Sequence, residues 1–239
     1  MLGVGGSSGC EVMATGQIVA VTGTDTGVGK TVVTAALACG AKSRGSVAVY
    51  KPVQTGTSIG DSDIDEVRRL SGVEIALTGS EQPEPLAPAT AARRAGSSLP
   101  SLDAHVDAVR SLANSHDTVL VEGSGGVLVA LTEDGLGIAE LAVACEASTV
   151  IVARPGLGTL NHTALTAEAL SARGCRIAGV IVGSWPSEPD VATLCNVDDL
   201  PTVTGLPLLG RLPEGASRLD PEEFGRRSPE WVSTAGWLP

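Results

Sequence analysis

The segment Gly23-Thr24-Asp25-Thr26-Gly27-Val28-Gly29-Lys30-Thr31 follows directly on the apolar run Ile18-Val19-Ala20-Val21-Thr22 and leads into a helix-forming stretch, Val32 to Leu37. A triphosphate is a dense anion, and it is held best by several backbone N–H groups converging at the start of a helix, where glycines let the main chain come close. Thr26, Gly27, Val28 and Gly29 supply such a loop ahead of Val32. Lys30 is placed to reach the outer phosphates and the Thr31 hydroxyl to ligate Mg²⁺, as the strand–loop–helix phosphate motif requires. The spacing is a lengthened variant, with Thr24 where the general pattern has a glycine and Gly23 one step earlier. A glycine-rich turn that merely caps a helix needs no Lys-Thr pair behind a buried strand, so nucleotide binding is expected.

Two more positions could join this chemistry. Lys51 follows the apolar run Val47-Ala48-Val49-Tyr50 and opens Lys51-Pro52-Val53-Gln54-Thr55-Gly56; alone, it reads as a solvated lysine, but a neighbouring phosphate loop makes it a functional candidate. Glu122 ends Thr118-Val119-Leu120-Val121 ahead of Gly123-Ser124-Gly125-Gly126, and an acid closing an apolar strand is the usual partner in a Mg²⁺ site of this kind. The acidic cluster around Asp61, Asp63 and Asp65 could add a further oxygen ligand, or could be only the capped, solvated first turn of a helix. Spacing does not choose among the three aspartates.

Such residues need strands and helices to carry them. Strands are expected at residues 18–22, 47–50, 118–121, 149–153, 177–182 and 206–209, short and mostly β-branched. Helices alternate with them, one capped by Ser101 with Leu102, Val106, Val109 and Leu112 inward, another from Thr159 to Arg173 with Leu160, Leu165 and Leu170 read as core. This pattern predicts an α/β fold, a parallel sheet covered on both faces. The Pro-rich stretch at residues 81–88 cannot be regular helix or central strand. With 239 residues, 43% of them hydrophobic, the chain is expected to form one domain over residues 13–239. Residues 1–12, rich in Gly and Ser, are expected to be a disordered extension, with Met13 as an alternative start. A net charge of −11 disfavours nucleic acid as a partner. Without a membrane-length apolar run or a signal peptide, a cytoplasmic protein is expected. Five scattered cysteines show no metal-cluster spacing, and the five aromatic residues leave few rings to stack a base.

The strings GTDTGVGKT, KPVQTG, SDID, VEGSGG and GTLNH, in that order, resemble the dethiobiotin synthetases over residues 18–213. The resemblance implies a three-layer α/β/α fold of the P-loop NTPase type with a mostly parallel seven-stranded sheet. It implies a Mg²⁺- and ATP-dependent ligase that joins CO2 to 7,8-diaminopelargonate, through a carbamate and a carbamic–phosphoric anhydride, to close a cyclic urea. It also implies a homodimer. Carried over motif by motif, Lys51 and Lys30 are the catalytic lysines, Thr55 touches substrate, and Thr31, Asp63 and Glu122 ligate Mg²⁺. Gly123, Ser124 and Gly125 belong to the nucleotide site, and Thr159, Leu160 and Asn161 hold the substrate's tail carboxylate across the dimer interface at a helix N-terminus.

One departure stands out. Where many members carry an asparagine that reads adenine, this chain has Gly183-Ser184, and Pro213-Glu214-Gly215 matches the late nucleotide loop only in part. Without the amide, relaxed base selectivity is expected, with CTP or other nucleoside triphosphates accepted beside ATP. His105 and His116 are expected on the surface, and His162 beside the carboxylate loop. A switch ATPase of the chromosome-partitioning type is opposed by the lack of its extra lysine near Gly23-Thr24-Asp25, and a cobyrinate amidase-type synthetase by the lack of room for a glutaminase domain. The stretch after Leu219, with Pro221, Pro229, Trp231 and Trp237, reads equally as a docking segment or a helix.

Overall fold

A computed structural model describes residues 16–60 and 62–234; the expectations for residues 1–12, Met13, Asp61 and Trp237 lie outside the described residues. Seven parallel strands form one sheet in the order β3-β2-β4-β1-β5-β6-β7. They are β1 (Gln17–Gly23), β2 (Val47–Thr55), β3 (Ile75–Gln82), β4 (Thr118–Glu122), β5 (Ser148–Ala153), β6 (Arg176–Trp185) and β7 (Leu208–Pro213). The helices are α1 (Lys30–Lys42), α2 (Asp63–Ser71), α3 (Pro88–Ala95), α4 (Leu102–Ala113), α5 (Ile138–Ala144), α6 (Thr159–Ala172), α7 (Val191–Thr204) and α8 (Pro221–Trp231).

One buried apolar layer joins α1, α2 and α8 to the sheet through Leu37, Val67, Ile181 and Phe224; the other face packs Val109, Leu141 and Leu170 from α4, α5 and α6 against Val119 and Ile151. β1 lies at the centre, paired with β4 on one side and β5 on the other. The chain after β1 runs to one half of the sheet and the chain after β4 to the other, so the carboxyl ends of these neighbours form the crevice where such sheets bind ligands.

Several strands depart from the sequence reading. β3 carries little apolar signal because it is the sheet edge and half exposed, and its Gly79 is needed where a Cβ would strike the Tyr50 hydroxyl. β2 runs on to Thr55, so Lys51 lies inside the strand and not after it. Pro52 is tolerated there because β4 pairs with β2 only as far as Tyr50, leaving that side of the strand free. β6 extends through Gly183 and Ser184, and β7 starts two residues later than expected, after Pro207, whose carbonyl accepts from the Val180 N–H. The stretch at residues 81–88 ends an edge strand at Gln82 and opens α3 with Pro88 in its first turn, while Ser101 caps α4 as expected. Residues 221–231 form a helix that buries Phe224 edge-on against Trp231, and Val232 bridges to Gly210.

Two side-chain placements correct the sequence reading. Leu165 is 56% exposed, on the outward side of α6, while Leu170 faces the core. His105 is buried, not on the surface: its Nδ1 lies 2.7 Å from the Tyr50 hydroxyl beneath α4. Burial pushes the His105 pKa below the usual histidine value, with a backbone bond to Leu131 opposing it. The unfolded chain then takes up a proton near pH 6.5 that the folded state refuses. Stability is therefore full above that pH and falls below it, by up to about 1.4 kcal/mol per unit until the folded group titrates. Urea denaturation at pH 7 and pH 5 is expected to show this loss in the parent protein and a smaller one in His105→Gln. His116 is half-exposed and His162 exposed.

Candidate active site

The loop after β1 turns on Gly27 at φ 73° and Gly29 at φ 99°, left-handed conformations that side chains resist, and α1 starts at Lys30 without a side-chain cap. Its first N–H groups are therefore available to an anion. Lys30 folds back so that its Nζ donates to the Asp25 carbonyl at 3.0 Å, while the Asp25 carboxylate accepts from the Thr26 N–H at 2.7 Å and from Arg154 at 2.8 Å. Burial, then repulsion from Lys51, lowers the Lys30 pKa.

Thr31, Lys51, Asp63 and Glu122 come together beside this loop from four different elements. The Thr31 hydroxyl lies 2.6 Å from Asp63 Oδ1 and 3.0 Å from Glu122 Oε1. Lys51 Nζ lies 2.6 Å from Asp63 Oδ2 and 2.9 Å from Glu122 Oε1, and donates to the Gly123 carbonyl at 3.2 Å. Burial alone would lower the Lys51 pKa, but Glu122 and Asp63 outweigh it and raise it. Burial alone would raise Asp63, but the Lys51 ammonium and the Thr31 hydroxyl hold its carboxyl below the usual range. Ser62 caps α2, which makes Asp63 its first residue and directs it back toward the loop.

These groups fit a hard divalent cation. Three oxygen donors converge, two of them carboxylates, and the Glu122 Oε2 atom is buried with no hydrogen-bond partner. Lys51 supplies the positive charge those carboxylates demand.

A cleft of about 860 Å³ opens over the cluster, lined by Thr26, Lys51, Gln54, Thr55, Glu122 and Ser124 among others. Gly27, Gly29, Val32 and Gly125 also reach it. Ser124 is fixed by donating to the Val53 carbonyl at 2.8 Å. Leu86, Ala87 and Pro88 form an apolar wall opposite; the sequence had marked that stretch only as irregular, and Gln54 had drawn no attention.

The remaining candidates lie around this cleft. Gly183 packs against the loop: a Cβ built on Gly29 would lie 2.7 Å from the Gly183 carbonyl oxygen, and one built on Gly183 would run into the Val28 carbonyl. Ser184 follows in β6, and the Glu214 N–H donates to the Trp185 carbonyl at 2.7 Å, which brings Pro213, Glu214 and Gly215 to the same sheet end. The Arg211 guanidinium covers the Trp185 ring at 4.5 Å. Thr159, Leu160 and Asn161 open α6 after Gly158 but do not line the cleft, and the Thr159 side chain is buried against Thr163.

A glycine-rich loop between a central parallel strand and an uncapped helix, with an acid at the end of the neighbouring strand, defines a P-loop nucleoside triphosphatase fold. Consistent with that class, residues 17–222 match the family model described as an AAA domain. The fold is shared with a ParA family ATPase from Chlorobium tepidum (TM-score 0.55, 14% identity, 90% of this chain and 91% of that one) and with the MinD cell division protein of Aquifex aeolicus (0.53, 18%, 89% and 87%). Sequence narrows it further. The chain is 52% identical to the ATP-dependent dethiobiotin synthetase BioD of Rhodococcus jostii, over 93% of this chain and 96% of that protein. It is 58% identical to the protein of the same name from Saccharopolyspora erythraea, over 87% and 92%. The chain belongs to the dethiobiotin synthetase family.

Proposed function

We propose that this chain catalyses the Mg²⁺- and nucleoside triphosphate-dependent carboxylation and ring closure of 7,8-diaminopelargonate with CO2. The observation that carries the reading is the convergence of Thr31, Lys51, Asp63 and Glu122 beside the phosphate loop. Phosphoryl transfer asks of a protein chiefly positioning and neutralisation of charge. The N–H groups at the start of α1 hold the phosphates, and Lys30 swings from the Asp25 carbonyl to their outer oxygens. Thr31, Asp63 and Glu122 would hold Mg²⁺, which would shield the charge on the phosphates. Lys51 is the buried cation facing the carbamate and the phosphoryl group it attacks, and Thr55 orients the diamine at the mouth of the same strand. The apolar wall at Leu86, Ala87 and Pro88 suits an aliphatic chain.

The carboxylate at the far end of the substrate is held by a second copy of the chain. Two features favour this: the α6 N-terminus lies outside the cleft of its own chain, and Leu157 and Leu165 leave an apolar strip beside it exposed. Among the described residues no helix is long and apolar enough to cross a membrane.

Gly183 offers the base only main-chain groups. A site that hydrogen-bonds a substrate through a dedicated side chain rejects analogues by about 10⁴-fold or more, and one without it by about 10²-fold. Turnover with CTP is therefore expected within about a hundredfold of that with ATP in kcat/KM; a strict preference for ATP across a nucleotide panel would contradict this. The function itself is tested by growth. A strain lacking its dethiobiotin-forming step is expected to grow on biotin-free medium when it carries this gene, and no growth with soluble protein present would oppose the reading.

A further inference from the structure

Gln54 takes no part in the roles assigned above, yet it is 5% exposed at the edge of the cleft and both ends of its amide are engaged. Its Oε1 accepts from the Asp63 N–H at 3.0 Å, and its Nε2 donates to the Thr55 carbonyl at 2.8 Å. The Asp63 N–H is the first of α2 and has no partner within the helix; Ser62 serves the Asp65 N–H instead. A strand residue thus caps the helix that carries a cation ligand. The same residue grips the strand that carries the substrate-facing threonine.

We infer that Gln54 is a positioning residue that sets Asp63 and Thr55 relative to each other, and with them the cation relative to the diamine. The inference rests on the metal and substrate reading above. Beyond Tyr50, β2 has no β4 partner, so the ladder on that side does not fix residues 51–55. β3 pairs with residues 51–55 on the other side, and on the open side the Ser124 bond to Val53 and the Gln54 amide add the remaining ties. Ile64, Val67 and Leu70 bury the body of α2, but the Gln54 bond acts at the end where Asp63 turns into the cluster. The amide donates from one atom and accepts at the other; leucine, of similar size, does neither.

The test is Mn²⁺ binding in the presence of a non-hydrolysable ATP analogue, followed by electron paramagnetic resonance, for the parent, Gln54→Leu, Asp63→Asn and the double variant, with melting temperatures recorded. Ligand-orienting partners are commonly worth about 10- to 100-fold in metal affinity. Gln54→Leu is expected to weaken Mn²⁺ by about tenfold in the parent and less than about twofold in the Asp63→Asn background, because it acts through Asp63. It is also expected to raise KM for the diamine more than it lowers kcat. Parent-like Mn²⁺ affinity in Gln54→Leu, or an equal loss in both backgrounds, would overturn the inference while leaving the metal site standing. Equal affinity in the parent and Asp63→Asn would instead remove the metal reading on which it rests. If Gln54→Leu does not fold, Gln54→Asn, which is too short to span both groups, is held to the same criteria.

Discussion

Lys51→Ala is expected to lose dethiobiotin formation by about 10³-fold, with nucleotide binding largely kept. Lys51 is buried, 3% exposed, with its ammonium within 3 Å of two carboxylates, so its charge is held in one place beside the cluster. A charge fixed in a water-poor site stabilises a developing anion without reorganisation, and loss of one such donor typically costs 10²- to 10³-fold. In the proposed mechanism the lysine would face both the carbamate and the phosphoryl group, which puts the expected loss at the upper end. The variant has a second, structural signature. Without Lys51, Asp63 and Glu122 lose their hydrogen-bonded cation, a loss of about 2–3 kcal/mol, kept below the usual cost of breaking a buried pair because the Asp63 side chain is 34% exposed and Lys30 still acts on both carboxylates. For a chain of this size that corresponds to a fall in melting temperature of roughly 5–10 °C. Mg²⁺ would occupy the same oxygens, so adding it is expected to restore much of the loss, as scanning calorimetry with and without the ion will show. Full activity in Lys51→Ala would remove the lysine from the mechanism.

Gly183→Ala is expected to weaken nucleotide binding by about a hundredfold. The new methyl group would run into the Val28 carbonyl and lie 2.8 Å from a Val152 methyl carbon, so the phosphate loop must shift away from β6. A displacement of about 1 Å in a positioning element costs on the order of 10²-fold. Calorimetric titration with ADP reads this directly. Unchanged affinity would mean that the contact between β6 and the loop has no bearing on phosphate binding.

What the sequence disclosed follows the range of the interactions involved. The loop from Thr26 to Thr31 is legible because one contiguous segment contains the whole device, and Lys51 and Glu122 are legible because each closes an apolar run. Asp63 could be separated from its neighbours only through the family resemblance, since what singles it out is Ser62 capping α2 and turning its first residue inward. Gln54 carries no local signal, because its bond to the Asp63 N–H exists only once α2 has docked on β2 nine residues away. His105 and Leu165 were misplaced for related reasons: a helix period shows that a face is apolar, but not that a polar side chain is sealed by a tyrosine from another strand or that a leucine faces outward. The edge strand β3 escaped because half of it meets water.

The central claim is most directly tested by incubating the purified protein with 7,8-diaminopelargonate, ¹³C-bicarbonate, Mg²⁺ and ATP, and following product mass and phosphate release together. Dethiobiotin carrying a single labelled carbon, formed in step with phosphate, is the predicted result. Phosphate release that ignores the diamine, with no labelled product, would contradict it and leave a nucleotide hydrolase on the same fold.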